Sequence, residues 1–288
     1  MPDAVELDLP DLKLSGLAWG PKHGRPVLAS HGWLDNATTM SRLAPLLCEA
    51  LELRIVSLDL PGHGLSEHKR GPYHFVDSVA DLIQAADALG WDRFTLLGHS
   101  MGAGISTLTA GAVPQRIERC VLLEGIGPIV DVPAEAARRL ARSLRVEAAK
   151  RDKPKRLFPD PATAAARYRE AAPMDPASAR LLIDRGLVEV EGGWTWRADP
   201  RLRIDSRMRL SEEQVHAFLT AIECPVLLVS ATQGWPHNGK VVAERIAAIR
   251  DITAVEIEGR HHVHLDDPAG VAALVIPFLK PLFEAPQP

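Results

Sequence analysis

The chain has 288 residues, of which 46% are hydrophobic and 24% are charged, and its formal net charge is −4. This composition excludes a disordered chain, and the lack of a strong positive charge argues against nucleic acid as a partner. No apolar run reaches the roughly 18 residues that a membrane-spanning helix needs. The N-terminus is acidic and lacks the apolar stretch of a secretory signal, and three widely spaced cysteines indicate a reducing compartment. We therefore expect a soluble, cytoplasmic, globular protein.

The first part of the chain alternates short apolar segments with helical patterns, which predicts a mostly parallel, doubly wound α/β sheet. Two early segments, near residues 4–9 and 12–19, predict an antiparallel pair of strands. The buried strands predicted next are 25–30, 53–58, 93–97 and 120–123, separated by helices near 37–48, 75–89 and 101–112. Alternation resumes late in the chain, with strands near 225–230 and 252–257 and helices near 238–249 and 268–280.

The alternation is interrupted between these two parts. Residues 128–220 are rich in alanine, arginine and proline and show helical periodicity without a series of strands. The sequence thus predicts one core domain made of residues 1–127 and 221–288, with a helical cap inserted at 128–220. Because the insertion follows a central strand, we expect the cap to cover the edge of the sheet where active-site loops gather and to select the substrate.

The segment GHSMG (98–102) places a G-x-S-x-G pattern between an apolar strand and a helix. A serine on such a sharp turn needs small neighbours, and the N-terminus of the following helix directs amide groups toward a developing oxyanion. Ser100 is therefore the candidate nucleophile. The backbone amides of Met101 and of Trp33, in the HGW segment after the third strand, are the candidate oxyanion hole.

A serine nucleophile needs a base, which we expect in the loop before the last helix, where the sequence reads GRHHVHLDDP. Because the final Asp-Pro predicts the start of that helix, His261 lies in the loop itself and is our candidate, with His262 as the alternative. The three histidines of this segment also suggest metal ligands. Adjacent histidines point apart, however, and no H-E-x-x-H pattern is present, so we expect no metal and no cofactor.

The third member of such a triad usually follows the strand at 225–230, but the loop ATQGWPHN (231–238) contains no carboxylate. Glu124, at the end of the strand 120–123, offers one instead. Parallel neighbours lie about 4.8 Å apart with their carboxyl ends on one edge, so Glu124 is expected near Ser100. Asp131 is the alternative acid. Asp35, by contrast, is expected to cap the helix that follows it, with a polar residue of the pocket as the alternative.

The motifs HGW, DLPGHGLS, GHSMG and a terminal HxxxxDxP, in this order, resemble those of the α/β-hydrolase superfamily. HGWLDN, VLLEGIGP and GRHHVHL further resemble its serine hydrolase-like branch. The resemblance covers nearly the whole chain and implies a Ser–acid–His hydrolase, with Ser100 and His261 at the motif positions. Haloalkane dehalogenases, which are similar, also have an acid at the position of Glu124, but their nucleophile is Asp. Arg260 stands where many relatives have glycine, which leaves the choice between His261 and His262 open.

The sequence therefore predicts an enzyme that cleaves a carboxylic ester or related acyl bond of a small molecule through Ser100, Glu124 and His261. A cofactor-free perhydrolase or haloperoxidase would use the same triad, and sequence does not separate it from an esterase. A third hypothesis is a non-catalytic ligand-binding protein on the same fold. The presence of a residue for every triad position counts against this third hypothesis.

Overall fold

A computed structural model of the chain describes residues 1–150, 154–236 and 238–284. Its strands are β1 (Asp3–Asp8), β2 (Lys13–Trp19), β3 (Arg25–Ser30), β4 (Leu53–Leu58), β5 (Phe94–His99), β6 (Ile117–Leu123), β7 (Leu187–Val190), β8 (Gly193–Trp196), β9 (Val226–Gln233) and β10 (Ile252–Arg260). Eight of them form one sheet in the order β1-β2-β4-β3-β5-β6-β9-β10. The pairs β1–β2 and β2–β4 are antiparallel, and the remaining pairs are parallel. The carboxyl ends of β3, β5, β6, β9 and β10 therefore meet at one edge.

The α-helices within the same residues are α1 (Leu43–Ala50), α2 (Asp77–Ala88), α3 (Met101–Ala112), α4 (Ala136–Lys150), α5 (Pro161–Ala171), α6 (Pro176–Gly186), α7 (Glu212–Thr220), α8 (Gly239–Ala248), α9 (Val263–Asp266), α10 (Pro268–Leu279) and α11 (Pro281–Glu284). Helices α1 to α8 lie between strands, and α9, α10 and α11 follow β10. The predicted helix at 37–48 is divided into a short 3-10 turn at Ala37–Met40 followed by α1.

The sheet is covered on both faces, which is why its central strands read as continuous apolar runs. Successive side chains of a strand point to opposite faces. Leu96 of β5 accordingly packs with residues of α2 and α3, whereas its neighbour Leu97 packs with residues of α1 and α10. These two apolar clusters hold the sheet rigid, so the loops at its carboxyl edge are presented from a fixed base.

The described residues between β6 and β9 contribute no strand to this sheet, and they contain α4, α5, α6 and α7. They also contain one feature that the sequence analysis does not predict, the hairpin of β7 and β8. Its two-residue turn at Glu191 and Gly192 uses glycine at φ +86°, which suits tight hairpin turns. At the end of the segment, α7 packs onto the core, with Val215 and Leu219 in the same apolar cluster as α3. The division into a core and a cap at 128–220, which includes residues outside the described ranges, remains a prediction.

Candidate active site

Ser100 occupies the turn between β5 and α3 in a strained conformation, with φ 53° and ψ −112°. A side chain at Gly98 would place its Cβ 2.4 Å from the carbonyl oxygen of Gly102. A Cβ at Gly102 would lie 2.3 Å from the carbonyl oxygen of Ser30. Real Cβ atoms do not come this close to backbone, so the two glycines of the motif allow β3, β5 and α3 to meet around the serine.

Ser100 is the first member of a continuous chain of hydrogen bonds. Its Oγ lies 2.9 Å from His261 Nε2, and His261 Nδ1 lies 2.9 Å from Glu124 Oε2. His261 follows β10 and its side chain is 20% exposed, whereas that of Glu124, after β6, is only 2% exposed. The three residues that the sequence analysis names as a triad are therefore in hydrogen-bonding contact, with the histidine in the middle.

The loop after β9 has no carboxylate, and it supplies donors to Glu124 instead. The amide of Ala231 donates to Oε1, and the amide of Trp235 donates to Oε2 at 3.0 Å. A Cβ at Gly234 would lie 2.1 Å from Oε2, so only glycine lets this loop close around the carboxylate. Burial by itself would raise the pKa of Glu124, but the hydrogen bonds from His261 and the two amides outweigh it and hold the pKa below its usual value.

The candidate oxyanion donors are the backbone amides of Met101 and Trp33. Met101 is the first residue of α3, and Trp33 follows β3. The loop after β3 is fixed to α3 because the carbonyl of His31 accepts a hydrogen bond from the Gly102 amide at 3.1 Å. Within the described ranges, the amides of Trp33 and Met101 have no hydrogen-bond partner. This lack of a partner is consistent with both amides serving as donors to a substrate oxygen.

The two alternatives that the sequence leaves open have other partners. The Asp131 carboxylate forms an ion pair with Arg139 of α4, and no hydrogen bond joins it to His261 within the described residues. His262 is buried, and its Nε2–H donates to Asp35 Oδ2 at 3.1 Å rather than to Ser100. The geometry thus favours Glu124 and His261 over Asp131 and His262.

Asp35 does not cap a helix, and this expectation is wrong. The neighbouring Asn36 has that role, because its side chain accepts a hydrogen bond from the Thr38 amide at 3.1 Å. Asp35 instead lies in a buried polar cluster with His262, with the hydroxyl of Tyr168, which donates to Oδ1, and with His99, whose Nδ1 is 3.6 Å from Oδ2. Capping chemistry is shared by Asp and Asn, so the local sequence does not tell the two residues apart.

The carboxylate of this cluster is held ionised. Burial would raise the pKa of Asp35, but attraction to His262 and the hydrogen bond from His262 outweigh it and place the pKa well below its usual value. Asp35, His99 and His262 are also the described side chains whose metal-ligating atoms lie together, within 4.8 Å of one another. Because Asp35 already accepts hydrogen bonds from His262 and Tyr168, these residues form a bonded polar network rather than an open set of ligands.

Comparison with known proteins assigns the fold to a family. The alpha/beta hydrolase family model matches residues 23–274. The chain belongs to the alpha/beta hydrolase family. It is also 33% identical, over 93% of this chain and 86% of the relative, to a serine hydrolase-like protein of Danio rerio. Both the predicted fold and the predicted serine hydrolase-like branch are therefore confirmed, and they support a hydrolase.

Two solved structures are similar to this alpha/beta hydrolase over almost its full length. A hypothetical protein of Pseudomonas aeruginosa PAO1 is 40% identical with a TM-score of 0.90, covering 98% of this chain and 100% of its own. The thioesterase domain from the curacin biosynthetic pathway is 26% identical with a TM-score of 0.84, covering 96% of this chain and 99% of its own.

In the described ranges, no helix has the length and apolar character that crossing a membrane requires.

Proposed function

We propose that this protein is a serine hydrolase that cleaves a carboxylic ester or a related acyl bond through Ser100, His261 and Glu124. One observation carries the proposal: the two 2.9 Å contacts that join Ser100 Oγ to His261 and His261 to Glu124 Oε2. This is the arrangement in which a histidine takes the proton of the serine while an acid fixes its tautomer. The similarity to a thioesterase domain supports acyl chemistry as the reaction class.

In the first half of the reaction, Ser100 Oγ attacks the acyl carbonyl carbon while its proton moves to His261 Nε2. The carbonyl oxygen becomes an oxyanion, which accepts hydrogen bonds from the amides of Trp33 and Met101. Glu124 stabilises the imidazolium that forms, because its carboxylate accepts the hydrogen bond from Nδ1–H. His261 then gives the proton to the leaving alcohol as the carbon–oxygen bond breaks, and the acyl group remains on Ser100.

In the second half, water takes the place of the alcohol. His261 removes a proton from this water, whose oxygen attacks the acyl carbon, and the proton returns to Ser100 as the carboxylic acid leaves. The ionised state of Glu124 is needed in both halves, since a neutral carboxyl group would not stabilise the positive charge of the imidazolium. No cofactor enters either half of this scheme.

We further propose that residues 128–220 act as the cap that selects the substrate. Trp33, the residue whose amide is assigned to the oxyanion hole, extends its indole away from the sheet toward this segment. Its Nε1–H donates to the carbonyl of Leu202 at 3.1 Å, and the guanidinium of Arg203 lies 5.7 Å from its ring centre. The side chain is 52% exposed, so it is positioned to form one wall of a substrate site.

A fluorophosphonate probe with peptide mapping by mass spectrometry tests this proposal. We expect labelling at Ser100, and loss of labelling in S100A and in H261A, because the probe reacts with a serine that a base has activated. Ser106 is a buried serine of α3 and serves as the matched control, so S106A should be labelled like the wild type. Labelling elsewhere, or turnover of activated esters by S100A, would overturn the assignment of the nucleophile.

A further inference from the structure

The main chain of His261 is fixed by a residue outside the triad. The carbonyl oxygen of His261 accepts a hydrogen bond from His99 Nε2–H at 2.9 Å. His99 is the last residue of β5 and is fully buried. It also precedes Ser100 directly in the chain. One rigid strand end therefore carries the proposed nucleophile and holds the backbone of the proposed base.

The other side of the His99 ring faces Asp35. The ring nitrogen Nε2 carries the proton that is donated to His261. The other ring nitrogen, Nδ1, lies 3.6 Å from Asp35 Oδ2 and has no hydrogen-bond partner in the described part of the chain. The same Oδ2 accepts the hydrogen bond from His262, the residue after His261. Asp35 thus contacts both histidine rings that flank the main chain of residue 261.

Asp35 is itself tied to the proposed cap. The hydroxyl of Tyr168, in α5, donates a hydrogen bond to Asp35 Oδ1. On the opposite side, a Cβ at Gly32 would lie only 2.8 Å from Oδ2, so the backbone after β3 packs closely against the carboxylate. The carboxylate is therefore held between the sheet, the loop that contains His261, and one helix of residues 128–220.

We propose that Asp35 and His99 are positioning residues for His261, and that Tyr168 couples the location of α5 to that of His261. The inference rests on the proposed function, in which His261 is the base. Its physical reason is that His261 lies in a loop, where the ring orientation depends on the main chain. A misplacement of about 1 Å at a reacting group can cost on the order of a hundredfold in rate.

Steady-state kinetics on an activated ester test the positioning role. In D35N and H99L we expect kcat to fall at least about tenfold with KM within about twofold, since the base is displaced but the substrate site is unchanged. In H99Q, the side-chain amide keeps an N–H donor for the His261 carbonyl, so most of kcat should return. The proton resonance of the His261–Glu124 hydrogen bond should shift in D35N and H99L and be restored in H99Q.

A matched pair of hydroxyl deletions tests the coupling to α5. Y168F removes one hydrogen bond to Asp35 and should lower kcat about threefold, the effect of a single hydrogen bond. Y73F is the control, because Tyr73 donates to another aspartate, Asp199, at 2.8 Å, away from the histidine cluster. We expect Y73F to keep the kcat of the wild type, even if its thermal midpoint falls as much as that of Y168F.

The outcomes separate this inference from the proposed function. If the wild type is not labelled at Ser100, the proposed function fails. If the wild type is labelled but kcat is unchanged in D35N and H99L, or H99Q restores nothing, only the positioning role is overturned. Should D35N and H99L not fold, the comparison of Y168F with Y73F decides, and equal kcat values in these two variants would contradict the inference.

Discussion

Two carboxylate–histidine pairs lie side by side in this molecule, and they differ mainly in what surrounds them. The open pair, Glu124 and His261, has a histidine that is 20% exposed and that contacts Ser100. The closed pair, Asp35 and His262, has side chains only 3% and 4% exposed and contacts no nucleophile. In the proposed function and the further inference, the same two kinds of side chain therefore have different roles: the open pair takes part in the reaction, and the closed pair supports its neighbour.

The difference comes from the strands that carry each pair. Glu124 and His261 follow β6 and β10, which lie on either side of β9, and both point to the edge where Ser100 stands. Asp35 belongs to the loop after β3 and is covered by α5 through Tyr168. We therefore propose that the open pair is the catalytic one because His261 keeps one ring nitrogen facing Ser100, whereas the buried contacts of Asp35 and His262 leave none facing a nucleophile among the described residues.

The strongest test of this comparison is the exchange of each histidine for asparagine. H261N should lower kcat/KM by about 10⁴-fold, because no group remains to take the serine proton. H262N should lower kcat much less, by about tenfold, since it removes only a contact of the closed pair. The measurement is ester hydrolysis with the thermal midpoint of each variant recorded. A larger loss in H262N than in H261N would reverse the roles of the two pairs.

The next test concerns the acid. E124Q keeps the shape of the side chain but favours the wrong tautomer of His261, so kcat should fall by about 10³- to 10⁴-fold. D131N provides the comparison, because Asp131 is bound to Arg139, and its kcat should match the wild type within about twofold. Both values come from single-turnover and steady-state kinetics. Near-normal activity in E124Q together with a loss in D131N would show that the acid had been misassigned.

Much of this arrangement can be predicted from sequence, because it depends on short patterns and regular sheet geometry. GHSMG indicates the turn at Ser100 from five consecutive residues, and the apolar runs on either side give the strands. The carboxyl edge of a parallel sheet then brings the end of 120–123 next to it, which is how Glu124 is found without any motif of its own. These inferences need only local periodicity and the spacing of neighbouring strands.

The closed pair could not be predicted in the same way, because its contacts join distant parts of the chain. Asp35 meets Tyr168 across 133 positions and His262 across 227. Locally, Asp35 and Asn36 have the same helix-capping chemistry, and the structure has Asn36 at the N-cap position. The hairpin of β7 and β8 was missed for a related reason: its strands are four residues each and lie within a segment whose composition is that of helices.

A smaller effect is expected from the loop that closes around Glu124. G234A would place a Cβ 2.1 Å from Oε2, so the loop must move and its amides lose their hydrogen bonds to the carboxylate. We expect kcat to fall about tenfold and the free energy of unfolding to fall by about 1–3 kcal/mol. G239A is the matched control, because its added Cβ meets no heavy atom of the described residues within 4 Å, apart from its chain neighbours and its own helix backbone. An unchanged kcat in G234A would mean that the hydrogen bonds from this loop do not affect the activity of Glu124 and His261.

The smallest expected effect is the dependence of stability on pH. Asp35 has a folded-state pKa well below that of an unfolded aspartate, about 3.9, so its contribution is complete above that value and is lost as the pH falls toward the folded-state pKa. The unfolding free energies of the wild type and D35N should therefore differ by a constant amount from pH 7 to about pH 5, and the difference should shrink from about pH 4 to pH 3.

Urea unfolding across this range measures the difference directly, and E124Q gives the comparison for the open pair. The pKa of Glu124 is also lowered in the folded state, so its difference from the wild type should shrink in the same direction below about pH 4.3. We expect the larger change for D35N, because folding places the pKa of Asp35 well below its usual value, whereas that of Glu124 is lowered less. A difference that stays constant down to pH 3 would mean that folding does not lower the pKa of Asp35. The closed pair would then support His261 through shape alone.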